Sequence, residues 1–254
     1  MNSTLRRGRI DIDEPPCSFA LDAPRRRQQP PLRPRSNGKG MTMLPQRLRE
    51  GYAAFRDGRL AAEQNRYREL AEHGQTPETM VIGCCDSRVS PEVIFDVGPG
   101  ELFVVRNVGN LIPPYSPDAA YHGVSSALEY GAAVLKVPHI VVLGHARCGG
   151  VQAFADGAAA GDFIGRWMSL LAPVAAAIGP RERAADDYLT RLEQASIVAS
   201  LENLRTFPFV KTRCDDGTLS LHGAYFAVAS GELSALDPAS GRFLPVTPPS
   251  SSPR

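Results

Sequence analysis

Two short segments of this chain concentrate residues able to do chemistry. The first is Gly83-Cys84-Cys85-Asp86-Ser87-Arg88, and the second is Gly144-His145-Ala146-Arg147-Cys148-Gly149-Gly150. Together they offer a thiol from Cys84-Cys85, the imidazole of His145 and the thiol of Cys148. That set is three ligands for zinc, one short of a closed tetrahedron. Structural zinc sites close four protein ligands, whereas catalytic ones keep three and leave the fourth position to water. Zinc held in that way lowers the pKa of its water to about 7 and supplies hydroxide at neutral pH. Successive side chains of an extended segment point to opposite sides, so one of the adjacent cysteines faces such a metal and the other does not. Asp86 and Arg88 stand beside the first ligand. On a bare surface such a pair is a solvated ion pair. Beside a metal the carboxylate can orient the nucleophile or occupy the fourth position itself, and the arginine decides which by gripping it.

The elements that would carry these residues are readable. Met80-Val81-Ile82-Gly83-Cys84 and Ile140-Val141-Val142-Leu143-Gly144 are continuous apolar runs, as in strands buried on both faces of a parallel sheet. Each ends at a candidate ligand, and open α/β sheets bind ligands beyond the carboxyl ends of their strands. Leu102–Val105 reads as a third buried strand. Ser90-Pro91-Glu92 reads as a helix start, with Ser as cap and Pro in the first turn. Asn110–Asp118 is a Pro-rich loop. Helical patterning covers 44–73, with Gly58 breaking it, and then 119–135, 163–178 and 188–207. Tyr225–Ala229 reads as a late strand at a sheet edge. The alternation predicts an α/β fold, with a mainly parallel central sheet flanked by helices and joined by right-handed crossovers.

The two motifs in this order resemble the β-class carbonic anhydrases, with their Cys-x-Asp-x-Arg and His-x-x-Cys signatures. The resemblance spans roughly Leu44 to Val228 and includes Glu101–Asn110, Ser126–Tyr130 and Ser200–Arg205. It implies zinc, one per chain, on Cys84, His145 and Cys148, and it selects Cys84 over Cys85. It implies Asp86 and Arg88 as the catalytic pair. It also implies a substrate pocket of Gln75, Phe103, Val108, Tyr130 and the Gly149 backbone N–H. The implied activity is reversible hydration of carbon dioxide. The alternatives are hydrolysis of carbon disulfide or carbonyl sulfide on the same fold, and a zinc protein without catalysis. The family's N-terminal helices lie on a partner subunit, which implies a homodimer or a dimer of dimers. Some members carry an inhibitory bicarbonate site that needs a Trp three residues before the first ligand. Val81 stands there, which points to the non-allosteric branch.

Composition sets the outer bounds. The chain has 254 residues, a 43% hydrophobic fraction and a nominal charge of +1, which gives no sign of a nucleic-acid partner. Residues 1–40 hold nine Lys/Arg against four acids, leaving 19 basic and 23 acidic residues elsewhere. This first segment is rich in Pro and Arg and poor in large apolar residues. It reads as a disordered tail, an over-extended reading frame or a targeting peptide, with its acids counting against the last. The globular domain is expected over 41–244, with a Pro/Ser-rich tail over 245–254. No apolar run is long enough to cross a membrane. Five cysteines, two of them adjacent, form a poor disulfide framework and suit a reducing, cytoplasmic compartment.

Overall fold

The computed structural model describes residues 44–118, 120–159, 161–181 and 187–247. The expected tail over 1–40, and residues 248–254 of the one expected over 245–254, lie outside the described residues. The chain divides into two compact units, one ending at Tyr52 and the other beginning at Ala53. The described part of the first unit is the start of helix α1 (Gln46–Asp57), where Leu48 and Tyr52 are exposed. Helix α2 (Arg59–His73) follows, so the patterned segment does break at Gly58. Neither helix has a buried residue.

The second unit is built on one six-stranded sheet in the order β2-β1-β3-β4-β5-β6. The strands are β1 (Thr79–Cys84), β2 (Leu102–Asn107), β3 (His139–His145), β4 (Ser220–Ala227), β5 (Glu232–Asp237) and β6 (Arg242–Pro245). The first four are parallel to one another, and β5 and β6 add antiparallel. The apolar runs of β1 and β3 do sit at the centre. Met80, Ile82, Ile140 and Val142 pack into one core cluster, while Val81 joins Leu143 and Ala224 in another. The period-two alternation thus buries both faces of the central strands.

This topology locates the site. From β1 the chain first steps to β2 on one side, then crosses back to β3 on the other. The crevice at the carboxyl ends of β1 and β3 is therefore the point where the winding reverses, the place where such sheets bind ligands. Cys84 ends β1 and His145 ends β3.

The flanking helices are α3 (Pro91–Ile94), α4 (Gly123–Glu129), α5 (Gly149–Ala155), α6 (Ile164–Met168), α7 (Ala172–Ile178), α8 (Tyr188–Leu204) and α9 (Pro208–Asp215). Several depart from the sequence expectation. The helix expected over 119–135 begins at Gly123 and passes into a π turn at Tyr130–Val134. The segment over 163–178 is two short helices joined by a 3₁₀ turn. Ser90 does hold the cap position of α3, but its hydroxyl bonds Glu92 Oε2 at 2.8 Å rather than the backbone. The late strand begins five residues earlier than expected and is interior, because β5 and β6 cover what was read as an edge. Pairing also passes the boundary at 244: β6 includes Pro245, and Val246 N–H donates to Leu233 O at 2.8 Å.

Helix α8 supports the site most directly. Its buried stripe runs through Leu192, Glu193, Ser196, Ile197, Ser200 and Leu204. Ile197 sits against Gly144, where an added Cβ would fall 2.6 Å from its Cδ1. Only glycine before His145 allows so close an approach of helix to strand.

Candidate metal centre

Cys84, His145 and Cys148 are all buried, and their ligand atoms lie within 4.8 Å of one another. Among the described residues no other group of three such side chains meets that condition. The two sulfurs stand 3.9 Å apart. Two thiolates at about 2.3 Å from one tetrahedral zinc would stand about 3.8 Å apart, so the spacing fits the ion. His145 Nδ1 is 3.0 Å from Ala146 O, which fixes the ring and leaves Nε2 as the ligand atom. That Nε2 is buried and has no hydrogen-bond partner. A buried polar atom is rarely left so, and a cation among the three side chains satisfies it. Two soft sulfurs with an imidazole select zinc over hard cations.

The electrostatics agree. A hydrogen bond with Cys148 brings the Cys84 thiol down to about 4 against the cost of burial, with His145 adding to the fall. The same hydrogen bond, with burial, pushes Cys148 up. A cation between the sulfurs would take the place of that hydrogen bond and release its proton. Cys85 points elsewhere: it is exposed, and burial beside Cys84 raises its thiol.

Asp86 and Arg88 form the pair read from their spacing. Arg88 Nε donates to Asp86 Oδ1 at 2.9 Å and Arg88 NH2 to Oδ2 at 2.7 Å. The Arg88 backbone N–H adds a third bond, to Oδ1 at 3.0 Å. These donors hold the Asp86 carboxyl well below the usual carboxylate range. Arg88 NH2 also reaches Arg147 O at 3.0 Å, which ties the first motif to the second. Arg147 is in the left-handed region, at φ 56°.

Three supporting residues escaped the sequence reading as individuals. Arg106 on β2 donates to Cys84 O at 2.8 Å and Asp86 O at 2.6 Å, pinning the first motif from the neighbouring strand. Glu193 on α8 accepts the Cys148 N–H at 2.9 Å, and Tyr225 on β4 donates to Glu193 at 2.7 Å. An acid in the buried stripe of an amphipathic helix was the available signal for Glu193.

The expected pocket residues divide into two groups. Val108 follows Asn107, the register partner of Cys84, and its Cγ1 lies against Gly150. Gly149 is exposed beside Cys148, and a Cβ added there would meet nothing within 4 Å. A groove of about 820 Å³ has Asn107, Val108, Phe163 and Trp167 in its lining. Gln75, Phe103 and Tyr130 are not brought to the ligand group. Phe103 pairs with Met80, four residues before Cys84, a distance of about 13 Å along the strand. Its ring lies 5.8 Å from that of Tyr130, which is half exposed, and Gln75 is exposed. Val81 is core at 0% exposure and offers no surface for an anion. Of the remaining histidines, His139 and His222 meet at 3.2 Å at the opposite end of β3.

Comparison with known proteins places this geometry. The carbonic anhydrase family model matches residues 79–233. A carbonic anhydrase of Pseudomonas aeruginosa is 38% identical over 198 residues, 77% of this chain and 89% of that protein. β carbonic anhydrase 3 of Arabidopsis thaliana is 35% identical, over 73% of this chain and 74% of its own length. Among solved structures, a Coccomyxa β-carbonic anhydrase in complex with acetazolamide matches with TM-score 0.65 and 31% identity, over 77% of this chain and 87% of that one. A tetrameric β-carbonic anhydrase of Sordaria macrospora matches with TM-score 0.63 and 27% identity, over 75% and 95%. With its cysteine–histidine–cysteine group at the switch point of a matching sheet, this chain belongs to the β-carbonic anhydrases, zinc enzymes that interconvert carbon dioxide and bicarbonate.

Proposed function

We propose that Cys84, His145 and Cys148 hold the zinc of this enzyme and that Asp86 and Arg88 are its catalytic pair. The observation that carries this reading is the buried ligand group, with its partnerless His145 Nε2 beside an Asp86 that Arg88 has fully engaged on one oxygen. When bound, zinc supplies a nucleophilic oxygen at neutral pH by acidifying water. The chain supplies direction and selectivity. Asp86 Oδ1 takes two donors from Arg88, while Oδ2 takes one. A carboxylate oxygen has two lone pairs, so Oδ2 keeps one acceptor free for the proton of the attacking oxygen. The grip of Arg88 keeps the carboxylate off the metal. Val108 gives an apolar wall, and the exposed Gly149 N–H gives a donor for one oxygen of linear, apolar carbon dioxide.

Gln75, Phe103 and Tyr130 complete the pocket from a partner subunit. What supports this is their distance from the ligand group of their own chain, together with helices α1 and α2, in which no residue is fully buried. The assembly is a homodimer or a dimer of dimers, the closed forms commonest among homo-oligomers. Residues from 41 to the end of β6 form the catalytic domain, and the protein works in the cytoplasm without nucleic-acid or membrane partners. Among the described residues no helix is long and apolar enough to cross a membrane.

Substrate choice is tested by giving the zinc-loaded protein carbon dioxide, carbonyl sulfide and carbon disulfide in parallel. Hydration of carbon dioxide should dominate. Faster release of hydrogen sulfide than of bicarbonate would reassign the substrate to a sulfur analogue. Gln75→Ala and Tyr130→Phe should raise KM more than they lower kcat, without touching zinc content.

A further inference from the structure

We propose that Glu193 is a positioning residue for the metal ligand Cys148, clamping its backbone between helix α8 and strand β4 so that the thiolate faces Cys84 and His145. The inference rests on the metal reading above and concerns how the chain prepares that site.

Glu193 is 4% exposed, and both of its oxygens are engaged. Oε1 accepts the Cys148 N–H at 2.9 Å, and Oε2 accepts the Tyr225 hydroxyl at 2.7 Å. Burying a carboxylate is costly unless its lone pairs are met. Here one donor comes from the ligand loop itself and the other from strand β4, while the carboxylate rides on helix α8. An apolar side chain would not serve in the same place. Leu offers no acceptor, so the Cys148 N–H and the Tyr225 hydroxyl would both be buried without a partner.

The turn between His145 and Cys148 needs such a clamp. It passes from the end of β3 through left-handed Arg147, at φ 56°, to an extended Cys148, at φ −68° and ψ 118°. Three contacts from outside hold it. Ala146 N–H donates to Phe226 O at 2.9 Å, Arg147 O accepts from Arg88 at 3.0 Å, and Cys148 N–H donates to Glu193. The last is the contact nearest the sulfur. Glu193 is itself fixed in place. Ile197, one turn along α8, packs against Gly144, and Tyr225 is the register partner of Gly144 on β4. Helix, strand and ligand loop thus converge on one carboxylate. Residues that orient metal ligands in this way set metal affinity, and their loss costs about ten- to a hundredfold.

The test compares full-length wild type with Glu193→Leu and Tyr225→Phe. Each is measured for zinc affinity by chelator competition, for the thiolate-to-metal absorption of its cobalt-loaded form, and for folding by near-ultraviolet circular dichroism. Glu193→Leu removes both acceptors; it should keep the folded signal, bind zinc about ten- to a hundredfold more weakly and show an altered cobalt spectrum. Tyr225→Phe leaves the Cys148 contact in place but removes one anchor of the carboxylate. It should shift both readouts in the same direction by less. Wild-type affinity and wild-type cobalt spectra in folded Glu193→Leu would overturn the proposal. If Glu193→Leu does not fold, Tyr225→Phe decides alone: an unchanged affinity and spectrum would overturn it, and a weakened one supports it. A wild-type protein that takes up neither metal would instead sink the metal reading itself.

Discussion

At the scale of single residues, the account turns on which side chains touch the metal and which hold those that do. Cys148→Ser should remove most of the zinc and all of the hydration activity, whereas exposed Cys85→Ser should leave both near wild type. Metal analysis beside a rate assay checks the contrast, and loss of zinc in the Cys85 variant would mean the wrong cysteine has been chosen. The two motifs were legible in the sequence because their chemistry is local: spacing alone puts His145 and Cys148 on one turn and Arg88 within reach of Asp86. The Arg88 pair holds Asp86 below its ordinary 3.8. A carboxyl depressed in the folded state contributes stability above its unfolded value and loses it as pH falls toward the folded one. Asp86 therefore stays ionised across neutral pH. From about pH 5 to 9 the rate should rise along one ionisation, that of the nucleophile, without a steep cooperative step. Arg88→Ala frees Asp86 to take the fourth metal position and should lower kcat by at least about a hundredfold while zinc is retained. A steep cooperative profile, or inhibition by bicarbonate in a sigmoidal way, would show that replacing a Trp with Val81 does not abolish the inhibitory state.

At the scale of elements, the site depends on how closely α8 and β2 approach the ends of β1 and β3. Gly144→Val would drive a side chain into Ile197, whose Cδ1 is 2.6 Å from the position of an added Cβ. Overpacking of this kind costs about 1–3 kcal/mol. Because Glu193 rides on the same helix, zinc should be bound more weakly as well. A urea midpoint and a zinc titration read both effects, and an unchanged midpoint would contradict the packing described. The central strands were legible because both of their faces are buried, which leaves an uninterrupted apolar run. The antiparallel strands β5 and β6 were not. Their burial is partial and irregular, so neither a continuous run nor a clean alternation marks them. Their presence is what turns β4 from an edge into an interior strand. The supporting contacts of Arg106 and Glu193 were equally hidden, since they bridge residues 22 and 45 positions apart and no local pattern records them.

At the scale of the whole molecule, the proposed assembly calls for apolar surface that a second copy of the chain could cover. Tyr52 is 61% exposed and Phe163 is 87% exposed, and β2 has a free edge in the sheet. Light scattering should give a dimer or tetramer, and a fully active monomer would contradict the shared pocket. A chain starting at Met41 should fold, bind zinc and turn over as the full chain does; a large loss in any of these would give the first forty residues a role. The most direct test of the central claim is a titration of metal-free protein with zinc, followed by stopped-flow hydration of carbon dioxide at each step. The rate should climb in proportion to bound zinc, level off at one zinc per chain, and stay at the buffer rate throughout in Cys148→Ser. Activity that does not follow zinc, or that survives in Cys148→Ser, would contradict it.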